Sequence, residues 1–406
     1  MRIFSLFFHP ERKTTFLGGA EKRFLKFLEF LNSGDYEIKV LVLEFRPSLI
    51  SGELKKVEVL TVDKPFRICS SNLMLNYFSW ILWGFKAVIR SLPAFFRIKP
   101  DLILSPNNTL PSLFPAFLIK LVFRKPLCVV VHHFDFTSQD EIQVENFLPT
   151  KFFRKYQNIG YSFSTAIFKA LASFLAISIL RKANKIISVS KFSAKTLLLF
   201  GFRKENVLVS GNGVDFHDIS KFYRESGKKV FDGVFVGRVS LEKGIYDLVD
   251  AWRIIVSKWK RARLAIVGEG PELENLKTRI RSYGLEGNIV VFGGLSDREM
   301  YRILCKSKVF IFPSRFEGWG LAVSEALACG LPVVCYKIPA LEEVFGKCKS
   351  VFFVSKFDSE ALARKIVQIL ENFDKKSFGR ISRNFAKNFV WEKIFEKDLT
   401  FLRKIG

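Results

Sequence analysis

Short apolar runs, each bounded by basic or turn-forming residues, recur along the chain and alternate with longer stretches of helical period. In the first half, Arg2–Phe7, Ile38–Leu43, Leu102–Leu104, Leu127–Val131 and Ile186–Val189 read as strands, with a helix starting near Ala20. Strands this uniformly apolar suit a sheet covered on both faces, and their alternation with helices implies parallel pairing. After the turn-forming cluster Gly211-Asn212-Gly213 the order restarts. Strands are expected at Val230–Val236, Arg263–Val267, Ile289–Phe292, Val309–Phe312, Pro332–Cys335 and Ser350–Phe353, with a helix near Tyr246–Lys258. A second α/β domain therefore begins near residue 216, and the stretch from Phe378 to Gly406 reads as helical and basic.

One segment breaks the pattern. Tyr161–Leu180 is mostly apolar and long enough for a transmembrane helix, but it carries Lys169 near its middle and several serines, and it leads into a strand pattern. A helix packed on a sheet is expected, with interfacial or spanning placement as the alternatives.

At 406 residues the chain exceeds one ordinary hydrophobic core, and with 49% hydrophobic residues and no low-complexity tract it is globular throughout. Six cysteines without a Cys-x-x-Cys pair, and no signal peptide before the first strand, fit a reducing cytoplasm. Lys and Arg number 64 against 39 Asp and Glu, a formal +25 that draws in anionic partners. Nucleic acid fits poorly, since no zinc-finger spacing or RNA-binding aromatic motif accompanies the charge. Tyr77, Trp80, Trp83, Phe95 and Phe96, interleaved with Lys86 and Arg90, suit a bilayer interface instead.

The densest chemical signal runs from Phe316 to Pro332, after a strand that ends at Pro313. Gly318 and Gly320 at a strand-to-helix turn let backbone N–H groups, including that of Leu321, approach an anion at the positive end of a new helix. Glu317 lies before that helix and Glu325 about two turns along it, so the two carboxylates serve different parts of one polyol ligand. Either acid alone would be an ordinary cap or a solvated helix residue; the pair with Gly-x-Gly between them points to a site. A second turn, Gly237-Arg238 followed by Lys243-Gly244, sets two cations beside a strand end, as a diphosphate requires. It is not a P-loop, because Glu242 stands where a glycine belongs and Gly244 where a Ser or Thr would hold magnesium. Gly268-Glu269-Gly270 is not a nicotinamide fingerprint either, with Leu273 in place of the third glycine. Gly18-Gly19-Ala20-Glu21 forms another backbone-lined turn, and His132 and His133 follow a strand at the sheet edge where such folds bind ligands. The four histidines lack ligand spacing and no Asp-x-Asp occurs, so charge neutralisation must come from protein groups.

Taken in order, Gly18-Gly19-Ala20-Glu21, Val131-His132, Gly211-Asn212-Gly213-Val214-Asp215, Gly237-Arg238 with Lys243-Gly244, and Glu317-x7-Glu325 resemble glycosyltransferase family 4 over nearly the whole chain. The resemblance implies a GT-B fold, two Rossmann-like α/β domains facing across a cleft. Residues 1–215 would bind the acceptor and 216–380 the nucleotide sugar, with a C-terminal helix in 381–406 returning to the first domain. It implies retention of anomeric configuration, with Arg238 and Lys243 gripping the diphosphate, Glu325 the ribose hydroxyls and Glu317 the transferred sugar. His132 would orient or shield that sugar, although His133 beside it leaves the matching histidine open. Gly18, Gly19, His133, Gly237, Gly293, Gly318, Trp319, Gly320 and Leu321 complete the expected substrate-binding set, Trp319 replacing a more usual phenylalanine. No cofactor and no essential metal are expected. The expected partners are a nucleotide-diphosphate sugar, a glycan or lipid-linked acceptor and an anionic membrane surface, with the protein cytoplasmic and peripheral on that surface. A sugar-nucleotide epimerase, a phosphorylase-like activity, or a nonenzymatic membrane-associated nucleotide-sugar-binding subunit are the alternatives.

Overall fold

The computed structural model describes residues 1–7, 18–34, 39–44, 55–61, 73–134 and 149–405. Among the described residues they form two compact units: the first holds the chain up to Gly211, apart from Gly18, and takes it back from Trp391 onward, and the second comprises Gly18 and Asn212–Val390.

The first unit carries strands β1 (Arg2–Phe7), β2 (Lys39–Glu44), β3 (Val57–Thr61), β4 (Leu102–Ser105), β5 (Leu127–Val131), β6 (Lys185–Ser188) and β7 (Val207–Val209). Helices α1 (Gly19–Ser33), α2 (Leu73–Ile98), α3 (Leu110–Phe123), α4 (Pro149–Ile159), α5 (Phe163–Leu180) and α6 (Lys191–Leu199) connect them. All seven strands are parallel, in the order β3-β2-β1-β4-β5-β6-β7, and Phe4 of β1 stands in register with Leu41 on one side and Ile103 on the other. The order reverses between β1 and β4, and open parallel sheets place ligands beyond the strand ends at such a point. Strands β3 and β7, unmarked in the sequence pattern, are the two edges. An edge strand is not buried on both sides, so it need not be a continuous apolar run; β3 reads VEVLT and β7 has only three residues.

The second unit repeats the plan. Helix α7 (Phe216–Glu225) leads into β8 (Phe231–Val236), α8 (Ile245–Lys258), β9 (Leu264–Val267), α9 (Leu273–Ser282) and β10 (Ile289–Gly293). Then follow α10 (Asp297–Cys305), β11 (Ser307–Phe312), α11 (Leu321–Ala328), β12 (Val333–Tyr336), α12 (Pro339–Phe345), β13 (Val351–Val354), α13 (Ser359–Glu371) and α14 (Lys375–Ala386). The sheet order is β10-β9-β8-β11-β12-β13, again parallel, and its reversal lies between β8 and β11. Helix α14 remains with this unit: Ser382 Oγ donates to Leu331 O at 2.8 Å and Arg383 Nη1 to Ala328 O at 2.6 Å. The last helix, α15 (Trp391–Leu402), belongs to the first unit, so the chain crosses back later than residue 380. There it packs on α1 through Phe27 and Phe395 and through a buried ion pair, Arg23 Nη2 to Asp398 Oδ2 at 2.5 Å.

Two of the aromatic residues assigned above to a bilayer interface belong to the core. Trp83 is fully buried, and Phe95 is stacked on Phe123 at 3.6 Å and set edge-on to Phe4. Phe96, the next residue, is exposed, because consecutive helical positions point about 100° apart. The side chains of Tyr77 and Trp80 lie outside the described residues. Helix α5 is long and apolar enough to cross a membrane, yet it rests on α3 and α4 through Ala166, Ala170, Ala172 and Ala176. Ile177 and Leu180, near its C-terminal end, share one buried core with Val129 of β5 and Ile186 of β6.

Candidate active site

In the second unit the two motif turns leave adjacent strands at the point where the strand order reverses. Gly237 and Arg238 follow β8, and Pro313 to Gly320 follow β11. Backbone bonds stitch the neighbouring turns together: Gly237 N donates to Val267 O at 3.0 Å and Gly268 N to Gly293 O at 2.7 Å. Gly293, at the end of β10, thus stands at the same edge as Gly237. A tight turn over Leu241–Lys243 ends at Gly244, with φ 65°, where a Cβ would come within 2.1 Å of the Pro313 carbonyl oxygen. Only a glycine lets the loop after β8 press against the end of β11, and this contact delivers Lys243 to the second motif.

There Lys243 Nζ meets Glu317 Oε1 at 2.5 Å, although the residues are 74 positions apart. Both side chains are largely buried, whereas Arg238 is half exposed and only loosely paired with Glu242, at 3.8 Å. Burial alone would raise the Glu242 carboxyl, but Arg238, the Ser240 hydroxyl, a backbone N–H and Lys243 together bring it below the usual range. Glu242 therefore stays ionised and keeps Arg238 at the turn.

A further network, not marked by any motif, clamps the two loops. Arg315 N donates to Glu242 O at 2.8 Å, and the Arg315 guanidinium reaches Asp247 Oδ1 at 3.2 Å from above the Phe357 ring. Asp247, in the first turn of α8, also accepts from the Tyr336 hydroxyl at 2.9 Å. Burial and then Asp247 push the Tyr336 phenol upward, so it remains a donor. These residues escaped the sequence reading because their partners lie 68 and 89 positions away.

Gly320, with φ 90° and no side-chain cap, precedes α11; Val323 N and Ser324 N donate back to Gly320 O, which leaves the N–H groups of Leu321 and Ala322 without an acceptor in the helix. A Cβ at Gly320 would lie 2.5 Å from Leu341 Cδ2, so the turn is held against α12. Gly318 is buried in the same turn. Trp319 turns away into an aromatic cluster, edge-on to Phe389 at 5.3 Å and Phe345 at 6.4 Å, while its Nε1 donates to Ser324 Oγ at 3.1 Å. Glu325 is not a solvated helix residue: it is 5% exposed and accepts a hydrogen bond from Tyr301 at 3.3 Å. Tyr301, on α10, has no sequence signal that would have singled it out.

In the first unit the structure separates the two histidines. His132 is buried, and its Nε2 donates to Pro106 O at 3.0 Å. Burial, and then the nearby Arg23 guanidinium, push its pKa down to about 3, so the ring is neutral with its proton on Nε2. His133 is exposed and borders an open cleft whose other walls include Asn108, Tyr156, Lys169 and Ser173. Asn108 holds both: its Oδ1 accepts from His132 N at 3.1 Å and its Nδ2 donates to His133 O at 2.9 Å. Its place just beyond β4, at the reversal of strand order, is the signal that could have found it. Gly18 and Gly19 stand at the start of α1, and the loop before them lies outside the described residues.

Two parallel α/β units, each with its turns gathered at a reversal of strand order, define the class. Solved structures confirm the GT-B fold over the full length. HepE of Anabaena, crystallised with UDP-glucose, aligns with a TM-score of 0.69 at 21% identity, covering 100% of both chains. Sucrose-phosphate synthase of Thermosynechococcus elongatus aligns with a TM-score of 0.76 at 18% identity, covering 99% of this chain and 98% of that one. The Glycosyltransferase Family 4 model matches residues 17–218 and the model for glycosyl transferases group 1 matches residues 218–385, so the chain belongs to the family 4 glycosyltransferases. Among relatives, the capsular polysaccharide biosynthesis glycosyltransferase CapM of Staphylococcus aureus is 27% identical over 55% of this chain and 63% of its own length. The glycosyltransferase MJ1059 of Methanocaldococcus jannaschii is 24% identical over 90% of this chain and 81% of its own.

Proposed function

We propose that this chain is a retaining glycosyltransferase that moves a hexose-type sugar from a nucleotide-diphosphate donor to an acceptor hydroxyl, without an essential metal. The acceptor is a lipid-linked or growing glycan, met at the anionic cytoplasmic face of a membrane. The observation that carries the proposal is the meeting of Lys243 and Glu317, beside Arg238 and the start of α11, at the switch point of the second sheet. The UDP-glucose complex of HepE and the capsular role in CapM's name support a sugar-nucleotide donor and a glycan acceptor.

Transfer breaks the anomeric C–O bond, and the electron pair leaves on the diphosphate oxygen while the sugar becomes oxocarbenium-like. Arg238, Lys243 and the N–H groups of Leu321 and Ala322 are the positive groups that would meet that growing charge; one such stabiliser is commonly worth roughly 3 kcal/mol of barrier. The acceptor oxygen attacks from the face the diphosphate leaves, and its proton passes to the departing phosphate. Glu317 orients Lys243 and the transferred sugar, and Glu325, steadied by Tyr301, takes the ribose hydroxyls. Neutral His132, at the ligand edge of the first sheet, serves as a hydrogen-bonding group and not as an acid or base at working pH.

A thermal-shift screen of UDP- and GDP-hexoses should select one donor. NMR of the product should then show the donor's anomeric configuration; an inverted product would overturn the retaining assignment, and the absence of any stabilising sugar nucleotide would overturn the transferase.

A further inference from the structure

Helix α5 is built inside out. Its buried positions are mostly alanines, while Phe163, Ile167, Leu171 and Leu175 are 64%, 39%, 47% and 50% exposed. Steps of four residues drift by about 40°, so these four make one continuous stripe. Helix α2 shows a similar stripe in Ile81, Phe85, Ile89 and Phe96, the last two each 67% exposed. Lys86, Arg90 and Arg97 run beside it, about 100° to 140° around the helix from Phe85. Helix α3 contacts both helices, and its end adds exposed Leu121 and Val122. Phe85 packs edge-on against Phe114 of α3, and Phe96 against Phe123. Single exposed apolar residues are ordinary; stripes of large ones on two helices that both pack on α3 mark a surface that is covered in use.

The charge identifies the cover. Helices α2 to α5 contain eight Lys and Arg and no Asp or Glu, in a chain with 39 acidic residues elsewhere. We infer that α2 and α5 dock the first unit on an anionic lipid bilayer, lying along its interface with their apolar stripes among the upper acyl chains and the flanking cations among the headgroups. This deepens the membrane setting proposed above and rests on that reading. Helix α5 does not cross the bilayer. Its alanine side is seated on α3 and α4, and half-buried Lys169 holds its ammonium 5.0 Å and 4.9 Å from the Tyr156 and Tyr161 rings.

Flotation of the full chain with phosphatidylcholine vesicles, with and without phosphatidylglycerol, tests the surface. The wild type should float only with the anionic vesicles at low salt and be released by high salt. The exposed pair Ile89→Ser with Leu171→Ser should weaken that binding at least about tenfold. Lys86→Gln with Arg90→Gln should weaken it and flatten its salt dependence. Sugar-nucleotide thermal shifts in solution should match the wild type in all variants, which separates loss of docking from misfolding and from failure of the donor site. A wild type that never floats, or serine variants that float equally well, would overturn the inference. So would serine variants that turn a dimer into a monomer without affecting vesicles, since the cover would then be a second copy. Carbonate-resistant binding would overturn the interfacial placement in favour of insertion.

Discussion

Arg238 and Lys243 carry the same charge in different surroundings, and their substitutions should differ accordingly. Arg238 is half exposed and loosely paired, so Arg238→Ala should cut turnover by about a hundredfold, roughly 3 kcal/mol of barrier, with little change in melting temperature. Lys243→Ala should cost at least as much activity and also lower stability by about 1–3 kcal/mol, since it leaves buried Glu317 without its cation. Adding Glu317→Gln should restore that stability but not the activity; denaturant titrations and steady-state rates on the three variants check both. His132 gives a signature in pH. Its folded pKa lies near 3, below the ordinary value of 6.5, so its stabilising contribution is complete above about 6.5 and is lost as the pH falls toward 3. Unfolding free energies measured between pH 7 and pH 5 should decline in the wild type and decline less in His132→Asn.

At the scale of elements, the site depends on two loops being pressed together more tightly than side chains would permit. Gly244→Ala would drive a Cβ into the Pro313 carbonyl, with no flexible side chain to yield. It should cost about 1–3 kcal/mol of stability and lower donor affinity, because Lys243 moves with the turn. Gly320→Ala meets the tip of Leu341, a side chain that can shift, so it should be milder in stability while still disturbing the start of α11. Calorimetry together with donor titration of both variants checks the order; a silent Gly244→Ala would mean that the loops are not held by this contact. The strands at the site are legible in sequence because burial on both faces demands continuous apolar runs. Edge strand β3 is interrupted by an acid and β7 has only three residues, so they left little trace, whereas the edges β10 and β13 kept apolar runs and were legible.

Across the whole molecule, the chain closes its first unit with its last helix, and the Arg23–Asp398 pair lies at that closure, both side chains almost fully buried. Burial pushes the Asp398 carboxyl up, and Arg23 and the Ser210 hydroxyl offset this only in part. Removing one partner strands a buried charge, so Asp398→Ala should destabilise by roughly 3–5 kcal/mol. The exposed Lys221–Asp218 pair should yield no more than about 1 kcal/mol on Asp218→Ala. Chemical denaturation of both variants compares them directly, and equal effects would show that α15 is held by packing alone. Sugar transfer should also persist in EDTA, since fixed cations and a helix start are proposed to balance the diphosphate; activity abolished by chelation and restored by magnesium or manganese would reverse that assignment.

The sequence by itself determined the repeated parallel α/β plan and the turns that carry chemistry. Buried strands must be apolar throughout, and close approach to an anion calls for glycine and cationic residues at strand ends. It could not determine which faces of the helices meet. Trp83 and Phe95 belong to the core and Phe96 to the surface, a distinction that rests on how α2 lies against α3 and β1. Nor could it show that Glu325 is buried under Tyr301, that Lys243 finds Glu317, or that Arg315 and Tyr336 converge on Asp247. Such pairs join residues far apart in the chain, and only the packing of sheet and helices brings them within reach of a hydrogen bond.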